Sequence, residues 1–350
     1  MKTAPEPTTR CPFPDCQSNL TNIPCRIIAH SRLKTRNSCK RRRLCKVCGR
    51  TFTHTSGTVY HRMRRPKADF DRAAQMQAEG VPKASIARVL KASPSTVGRW
   101  LERAGKHAQA FHEEHSRIED PVEFQLDEHR CKGVGAARHA WAYSGIEVWS
   151  RMWVGLHVAN RTLRATFLFV RQIAGAVGDR WVPVLVTSDG FKYYEPVLTR
   201  VFGRTNLVYV QVKNRYAARG IVRTTARQIL GTPLALEFAQ ERSEDSKRFN
   251  TSYIERLNLR KRACCSLLRR RNAAPARKPE KIQQALEIVR VFYNFVQRHS
   301  SLKFGGVKRT PAMQAGIFAR PLTIREIFSW VAPPEEAMRR GQRRKLAQLA

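Results

Sequence analysis

Acidic residues are scarce in this sequence. Its 350 residues include 27 Asp and Glu against 65 Lys and Arg, which gives a formal net charge of +38 at pH 7. Residues 1–67 alone contain 16 basic residues against Glu6 and Asp15. This imbalance implies a polyanionic partner. Because the basic blocks alternate with aromatic and regularly spaced apolar residues, they favour folded nucleic-acid-binding surfaces over solvated or disordered tails.

Long apolar runs are lacking too. The opening MKTAPEPTTR contains no apolar signal region, and runs such as VPVLV and WVGLHV have only the length of a strand. We therefore expect a cytoplasmic, nucleoid-associated protein without a membrane partner or a small-molecule substrate. In such a reducing compartment, nine cysteines do not predict a disulfide framework.

The cysteines instead predict a metal site. Two pairs, with four and two residues between their members, flank a basic loop: Cys11, Cys16, Cys45 and Cys48. Thiolates from two tight turns can close a tetrahedron around Zn²⁺, so residues 1–67 are predicted to form a basic module with a structural zinc ion. Two alternatives stay open: Cys25 or Cys39 replaces one ligand, or the cysteines are free thiols in a disordered arm.

Residues 68–105 have the pattern of a helix-turn-helix domain. A helix at 71–79 is closed by Gly80, and after Pro82 two short helices follow, the second capped by Ser93. Their predicted inner faces are Ile86, Val89 and Leu90, then Val97, Trp100 and Leu101. The last helix would present four residues to a DNA major groove: Ser95, Thr96, Arg99 and Arg103. The alternative is an ordinary helical hairpin with solvated arginines.

The rest of the sequence, after residue 105, predicts a linker, a mixed α/β domain and a C-terminal tail. Residues 106–120 are polar without an apolar face and are interpreted as a linker, 121–302 as a catalytic domain and 303–350 as a C-terminal tail with a frayed end. Strands are predicted at VEFQLDE, IEVWSRMWVGLHV, VPVLVTS and LVYVQVK. Helices are predicted at 162–178, 191–202 and 280–298. The alternation of strands and helices indicates a mixed sheet flanked by helices, while 211–250 is ambiguous and is interpreted as an insertion.

Three carboxylates stand at positions that suit metal-dependent chemistry on phosphates. Asp127 lies in a predicted strand, Asp189 ends another, and Glu255 opens the helix-like NTSYIERLNLRKR. Two-metal phosphoryl chemistry needs carboxylates from separate elements to hold ions about 3.5–4 Å apart. Arg262, two helical turns after Glu255, would bind a phosphate.

Each acid also has a structural alternative. Asp127 could be an ordinary surface residue of its strand, and Glu128 beside it is a rival for the same role. Ser-Asp-Gly at 188–190 is a turn signal in its own right. Ser252-x-x-Glu255 is also a capping box, which needs no metal.

With these residues the chain resembles bacterial insertion-sequence transposases of the DDE class, most of all the insertion-sequence-one type. The resemblance extends from Cys11 to about Trp330. The segments that show the resemblance are CPFPDC…CKVCGRTF, GVPKASIARVLKASPSTVGRWL, LDEH, TSDGFKYY, NTSYIERLNLRKR, YNFVQRHSSL and RTPAMQAG. The chain departs from the pattern in EHRCKG after the first acid, in Gln297 where arginine is common, in the wide first cysteine pair, and in Cys264-Cys265.

The resemblance implies an RNase H-like fold with the acidic triad Asp127, Asp189 and Glu255, and Mg²⁺ or Mn²⁺ as the catalytic metal. It also places Asn294 and His299 in a motif that supports the site by contacting DNA. The implied function is a DNA transposase, working as a homo-oligomer on double-stranded DNA at the element ends and the target. The alternatives are a DNA-binding regulator with an inactive catalytic domain and a structure-specific nuclease of the RNase H fold.

Overall fold

The computed structural model describes residues 10–21, 23–35, 38–177, 183–217, 220–243, 249–269 and 275–333. Three short strands come first, with a one-turn helix before them: α1 (Gln17–Leu20), β1 (Ile27–Thr35), β2 (Ser38–Cys45) and β3 (Thr51–Thr53). The strands form an antiparallel sheet in the order β1-β2-β3. Three helices follow: α2 (Lys67–Ala78), α3 (Lys83–Val89) and α4 (Pro94–His115).

A six-stranded mixed sheet forms the centre of the protein. Its strands are β4 (Glu123–Arg130), β5 (Ala140–Glu147), β6 (Trp153–Asn160), β7 (Val184–Ser188), β8 (Leu207–Ala217) and β9 (Gly220–Leu230). The strand order is β6-β5-β4-β7-β8-β9. Strand β4 pairs antiparallel with β5 but parallel with β7, and β7 pairs parallel with β8. This mixed sheet confirms the predicted α/β class and is compatible with an RNase H-like fold.

Helices cover both faces of the sheet. One face packs against α5 (Leu163–Ala176) and α6 (Tyr194–Phe202). The other face packs against α7 (Pro233–Arg242), α8 (Ser252–Cys264) and α9 (Pro279–Val291). The central strands β4 and β7 lie between these helix layers, and most of their residues are buried. Strand β7 is mainly apolar, whereas β4 also buries Glu123, Gln125 and Glu128, and buried polar side chains require partners.

The predicted linker is wrong over residues 106–115, because α4 continues to His115. This part of the helix is polar in sequence but buries His107, Phe111 and His112. The His107 and His112 rings donate Nε2–H to the Ile327 and Trp153 carbonyls, both at 3.0 Å. Because His107 and His112 are polar, the spacing of apolar residues did not reveal this buried face of the helix.

The C-terminal region is also more ordered than predicted. It contains β10 (His299–Phe304), β11 (Val307–Arg309), α10 (Pro311–Gln314) and α11 (Ile324–Ser329). The predicted boundary after residue 302 falls inside β10. Phe318, Phe328 and Trp330 are buried in the core that the N-terminal helices share with the sheet. The end of the predicted tail, 334–350, lies outside the described residues.

Two other sequence predictions require correction. The single strand predicted at IEVWSRMWVGLHV is two antiparallel strands, β5 and β6, joined by a turn in which Arg151 has a φ of 61°. The region 211–250, ambiguous in sequence and interpreted as an insertion, forms regular elements in its described residues: β8 and β9 extend the sheet, and α7 packs on it. The helices predicted at 162–178 and 191–202 correspond to α5 and α6. None of the described helices combines the length and apolar character needed to cross a bilayer.

Candidate active site and metal-binding clusters

Three carboxylates meet where β4 and β7 run side by side. Leu126 of β4 pairs with Ser188 of β7, so the next residues on these strands are neighbours. Asp127, Glu128 and Asp189 each place a carboxylate oxygen within 4.8 Å of the others. We call these three residues the acidic cluster. Glu128, which the sequence offered only as a rival to Asp127, thus joins it.

The third predicted acid lies beside this cluster rather than in it. Glu255 lines the same cavity of about 690 Å³ as Asp127 and Asp189, together with Arg262. The Glu255 carboxylate accepts a hydrogen bond from the Thr251 hydroxyl at 2.9 Å. The structure therefore brings all four predicted residues to one cavity, with Glu255 outside the set that could share a metal ion in this conformation.

A buried glutamine positions α8 over the acidic cluster. Gln125 of β4 is fully buried, and its side-chain oxygen accepts from the backbone nitrogens of Tyr253 at 3.0 Å and Ile254 at 3.1 Å. These are orphan donors of the first helical turn, so the sheet side chain caps the helix. Because residues three, four and seven apart share a helix face, Glu255, Asn258 and Arg262 all face the cavity.

The same helix supplies a residue that the sequence did not single out. Asn258 donates from its amide nitrogen to Asp127 Oδ2, which orients that carboxylate. Its position one turn after Glu255 is the signal that could have identified it. Carboxylates that hold ions are usually fixed by such neighbouring hydrogen bonds.

The electrostatics of the acidic cluster favour a cation. Burial and the charge of Asp189 raise the pKa of Glu128 to about 7, although Tyr194 and Arg161 bond its oxygens at 2.7 and 2.5 Å. Burial and the charge of Asp127 likewise raise the pKa of Asp189. Neighbouring carboxylates repel one another, and a divalent ion between them would relieve that repulsion.

A buried lysine stands behind the cluster. Lys261 is fully buried, and its ammonium donates to Ser144 Oγ at 2.6 Å and contacts His129 Nδ1 at 3.1 Å. Burial lowers the pKa of Lys261 to about 7, against the opposing attraction of Asp127. Burial and the charge of Lys261 lower the pKa of His129 to about 2, so this imidazole is neutral. Lys261 and His129 therefore lie next to the acidic cluster, between α8 and the sheet.

The four predicted cysteines form a second candidate metal site. The sulfurs of Cys11, Cys16, Cys45 and Cys48 all lie within 4.8 Å of one another. The pairs Cys11–Cys48 and Cys16–Cys45 are 3.7 and 3.8 Å apart. Thiolates bound at about 2.3 Å on a tetrahedron lie about 3.8 Å apart, so the geometry suits a metal ion.

The rival ligands are distinguished by their positions. Cys25 Sγ lies 3.9 Å from Cys45 Sγ but outside the group of four, and Cys39 is exposed on β2. Burial raises the pKa of Cys48, but hydrogen bonds from Arg50 outweigh it and lower this pKa to about 7. A thiolate at Cys48 is therefore accessible near neutral pH, as metal binding requires.

The residues predicted to read DNA divide into two groups. Ser93 caps α4 by accepting from the Thr96 backbone nitrogen, as predicted, and Ser95 and Arg99 are exposed at the start of that helix. Arg103 is turned back instead, donating to the Val59 and His61 carbonyls at 2.9 and 3.0 Å. The predicted inner position Val89 is exposed as well.

The two motif residues near 294 do not face the acidic cluster. Asn294 is fully buried, and its amide bonds the backbone nitrogen and oxygen of Trp153, both at 2.9 Å, so its predicted DNA contact is wrong. His299 donates to the Tyr293 carbonyl at 3.1 Å and lines a different cavity, on the other side of α8. A lone sequence motif could not tell a structural asparagine from a DNA-binding one.

Comparison with known proteins adds no identification. The chain matches no protein-family model. A search of curated proteins also gives no significant match. The function must therefore be argued from the residues and their arrangement.

Proposed function

We propose that this protein is a DNA transposase of the DDE type, with an RNase H-like catalytic domain. The observation that carries the proposal is the meeting of Asp127, Glu128 and Asp189 on adjacent strands, beside Glu255 and Arg262, in a chain of charge +38. Carboxylates are rare in this sequence, so three of them at one strand end indicate a cation site. The polycationic remainder favours a polyanionic substrate.

The site residues suit phosphodiester chemistry. Asp127, Asp189 and Glu128 would hold Mg²⁺ or Mn²⁺, with Glu255 at the flank of the site. The ions, when bound, would activate the attacking oxygen and neutralise charge on the phosphate. Asn258 bonds the Asp127 carboxylate, and Arg262, which lines the same cavity, would bind a phosphate oxygen. Water would attack the phosphodiester at the element end and release a 3′-hydroxyl, which would then attack a target phosphodiester and displace the target's own 3′-oxygen.

The N-terminal region would bind the terminal inverted repeats. Ser95, Thr96 and Arg99 are the proposed base contacts at the start of α4. In the sheet before it, Arg32 of β1 lies opposite Arg41 of β2, both exposed. Like charges facing each other across strands are unfavourable unless a polyanion compensates them. A zinc ion at the four cysteines would stabilise this small module.

The proposal is tested with the DNA that flanks this reading frame. A duplex that carries the repeat is incubated with the protein and Mg²⁺, and nicking and strand transfer are measured on sequencing gels. Wild type should nick and join the DNA, and Asp189→Asn should bind the repeat with unchanged affinity but do neither. Arg164→Ala, an exposed change on the far face of the sheet, is the control that should retain activity.

Other results would favour the other functions. Tight repeat binding without cleavage in wild type would indicate a DNA-binding regulator and overturn the proposal. Cleavage of branched DNA without joining would indicate a structure-specific nuclease. Pairing of two DNA ends requires a homo-oligomer, so the active species should contain more than one copy of the chain. A transposase would act in the cytoplasm, where bacterial DNA lies.

A further inference from the structure

Helix α8 separates two cavities of opposite character. Its residues 255, 258, 259 and 262 line the acidic cavity, and residues 253, 256, 257 and 260 line a second cavity of about 420 Å³. At 3.6 residues per turn, these two sets lie on opposite sides of the helix. The cavities are therefore separated by about one helix diameter, roughly 10–12 Å.

Cations dominate the second cavity, and none of the described residues that line it is a carboxylate. Its basic residues are Arg151, Arg256, Arg260, Arg298 and Lys308. Within the described part of the chain, Arg256, Arg260, Arg298 and Lys308 form no ion pair. Arg260 donates to the neutral Gln297 amide oxygen at 2.5 Å, which leaves its charge uncompensated. We call this cavity the basic pocket.

Aromatic side chains pack beside the cations of the basic pocket. The Arg151 guanidinium stacks on the Tyr253 ring at 3.7 Å and donates to its hydroxyl at 3.0 Å, an arrangement that ties the β5–β6 turn to α8. The Tyr293 and His299 rings meet edge to face at 4.3 Å. Burial, together with the charge of Arg260, lowers the pKa of His299 to about 4. Because His299 is neutral, the anion-binding capacity comes from the arginines and Lys308.

We propose that the basic pocket binds a backbone phosphate of the same DNA duplex that occupies the acidic cavity. The inference rests on the proposed function, since it needs DNA at that cavity. Because phosphates on one strand are spaced by about 3.4 Å along the duplex axis, two sites one helix diameter apart can contact phosphates a few nucleotides apart on the same strand. The pocket would thus fix the register of the duplex, while the acidic cluster holds the reacting phosphate.

Salt dependence of DNA binding tests this inference. The measurement uses the full chain in the Asp189→Asn background, so that no cleavage intervenes, and compares Arg256→Ala/Arg260→Ala with the control Arg164→Ala/Arg200→Ala. Arg164 and Arg200 are exposed on helices of the opposite sheet face. Losing one phosphate contact should lower the slope of log affinity against log salt by about one. The control should keep a steeper slope, and equal slopes in the two double variants would overturn the inference.

A second measurement locates the phosphate. Single neutral methylphosphonates are placed along the duplex around the scissile position. Neutralising the phosphate that reaches the pocket, a few nucleotides from the scissile position, should weaken binding to the control variant but not to the pocket variant. An equal loss in both would overturn the inference. Inorganic phosphate is the probe for a free-anion site, and saturable phosphate binding that the pocket substitutions abolish without changing the DNA slope would also overturn it.

The inference and the proposed function fail in different ways. A protein that cuts DNA with Mg²⁺ but shows no pocket-dependent slope would retain the transposase proposal and contradict the phosphate pocket. A protein whose slope depends on the pocket but which never cuts DNA would contradict the transposase proposal alone. Circular dichroism of the double variants checks that these substitutions, of which only Arg260 is half-buried, leave the fold intact.

Discussion

Gly105 of α4 lies directly against Gln284 of α9. A Cβ placed on Gly105 would come within 2.6 Å of the Gln284 carbonyl oxygen and 2.8 Å of its Cα. Both close atoms belong to the backbone, so a side chain at 105 would force the helices apart. This contact joins the proposed DNA-reading helix to a helix that packs on the six-stranded sheet, so the two regions should move as one body.

Two glycines of the same helix predict opposite effects. Gly105→Ala should destabilise the protein by about 1–3 kcal/mol, because α4 and α9 must separate. Gly98→Ala should stabilise it by up to about 1 kcal/mol, because a Cβ there meets only Lys83 Cδ at 3.7 Å and alanine favours a helix. Urea unfolding of the two variants measures both changes. If Gly105→Ala leaves the free energy of unfolding unchanged, the contact between the two helices is not tight.

The cysteine cluster predicts a specific pattern of zinc loss. Cys16→Ser should abolish zinc binding and make the N-terminal module sensitive to protease, because Cys16 is one of the four clustered cysteines proposed to bind zinc. Cys39→Ser should retain zinc, because Cys39 is exposed and outside the cluster. Zinc content is measured by mass spectrometry of the purified variants. Zinc retained in Cys16→Ser but lost in Cys25→Ser would reassign the ligand.

Asn258 should act on the reaction through Asp127. Asn258→Leu removes the amide that orients the carboxylate and should lower Mg²⁺ affinity and cleavage by roughly tenfold or more. Leu259→Ala alters an exposed neighbour that lines the same cavity and should leave both unchanged. Calorimetric Mg²⁺ titration and a cleavage assay separate the two variants. Equal Mg²⁺ affinities would show that the hydrogen bond has no role at the metal site.

The raised pKa of Glu128 predicts that the free energy of unfolding decreases as pH rises. This pKa is raised from 4.5 to about 7, so the folded state favours the neutral acid. The stability that this provides is complete below about 4.5 and is lost as pH rises to about 7, a change of at most about 3 kcal/mol. Glu128→Gln should reduce this loss, and saturating Mg²⁺ should reduce it in wild type. Unfolding free energies at pH 5 and pH 8 give the comparison, and identical pH slopes for wild type and variant would contradict it.

His107 predicts the opposite dependence. Burial lowers its pKa from 6.5 to about 4, so the folded chain resists protonation. Stability is complete above about 6.5 and decreases as pH falls toward 4, by roughly 3 kcal/mol from this residue. His107→Gln keeps an amide donor for the Ile327 carbonyl and should flatten the acid limb of the curve. An acid limb as steep as that of wild type would assign the effect to other groups.

The spacing of apolar residues and the identities of capping and ligand residues predicted those elements that are determined by residues close together in the chain. The helices from Pro94, Leu163 and Tyr194, the strand before Asp189 and the two cysteine pairs each follow from residues adjacent in the chain. Side-chain spacing determines these elements before any long-range contact forms. The same spacing put Glu255, Asn258 and Arg262 on one helix face.

The sequence by itself determined the excess of positive charge, the α/β class and the candidate ligands. Only the tertiary structure decided that Glu128 joins Asp127 and Asp189, that Glu255 lies in the same cavity but outside this cluster, and that Asn294 belongs to the core. It also made the polar stretch 106–115 a buried helix and gave α8 an acidic and a basic side. The physical reason is that burial and proximity depend on strand register and helix packing between distant segments, which no local pattern encodes.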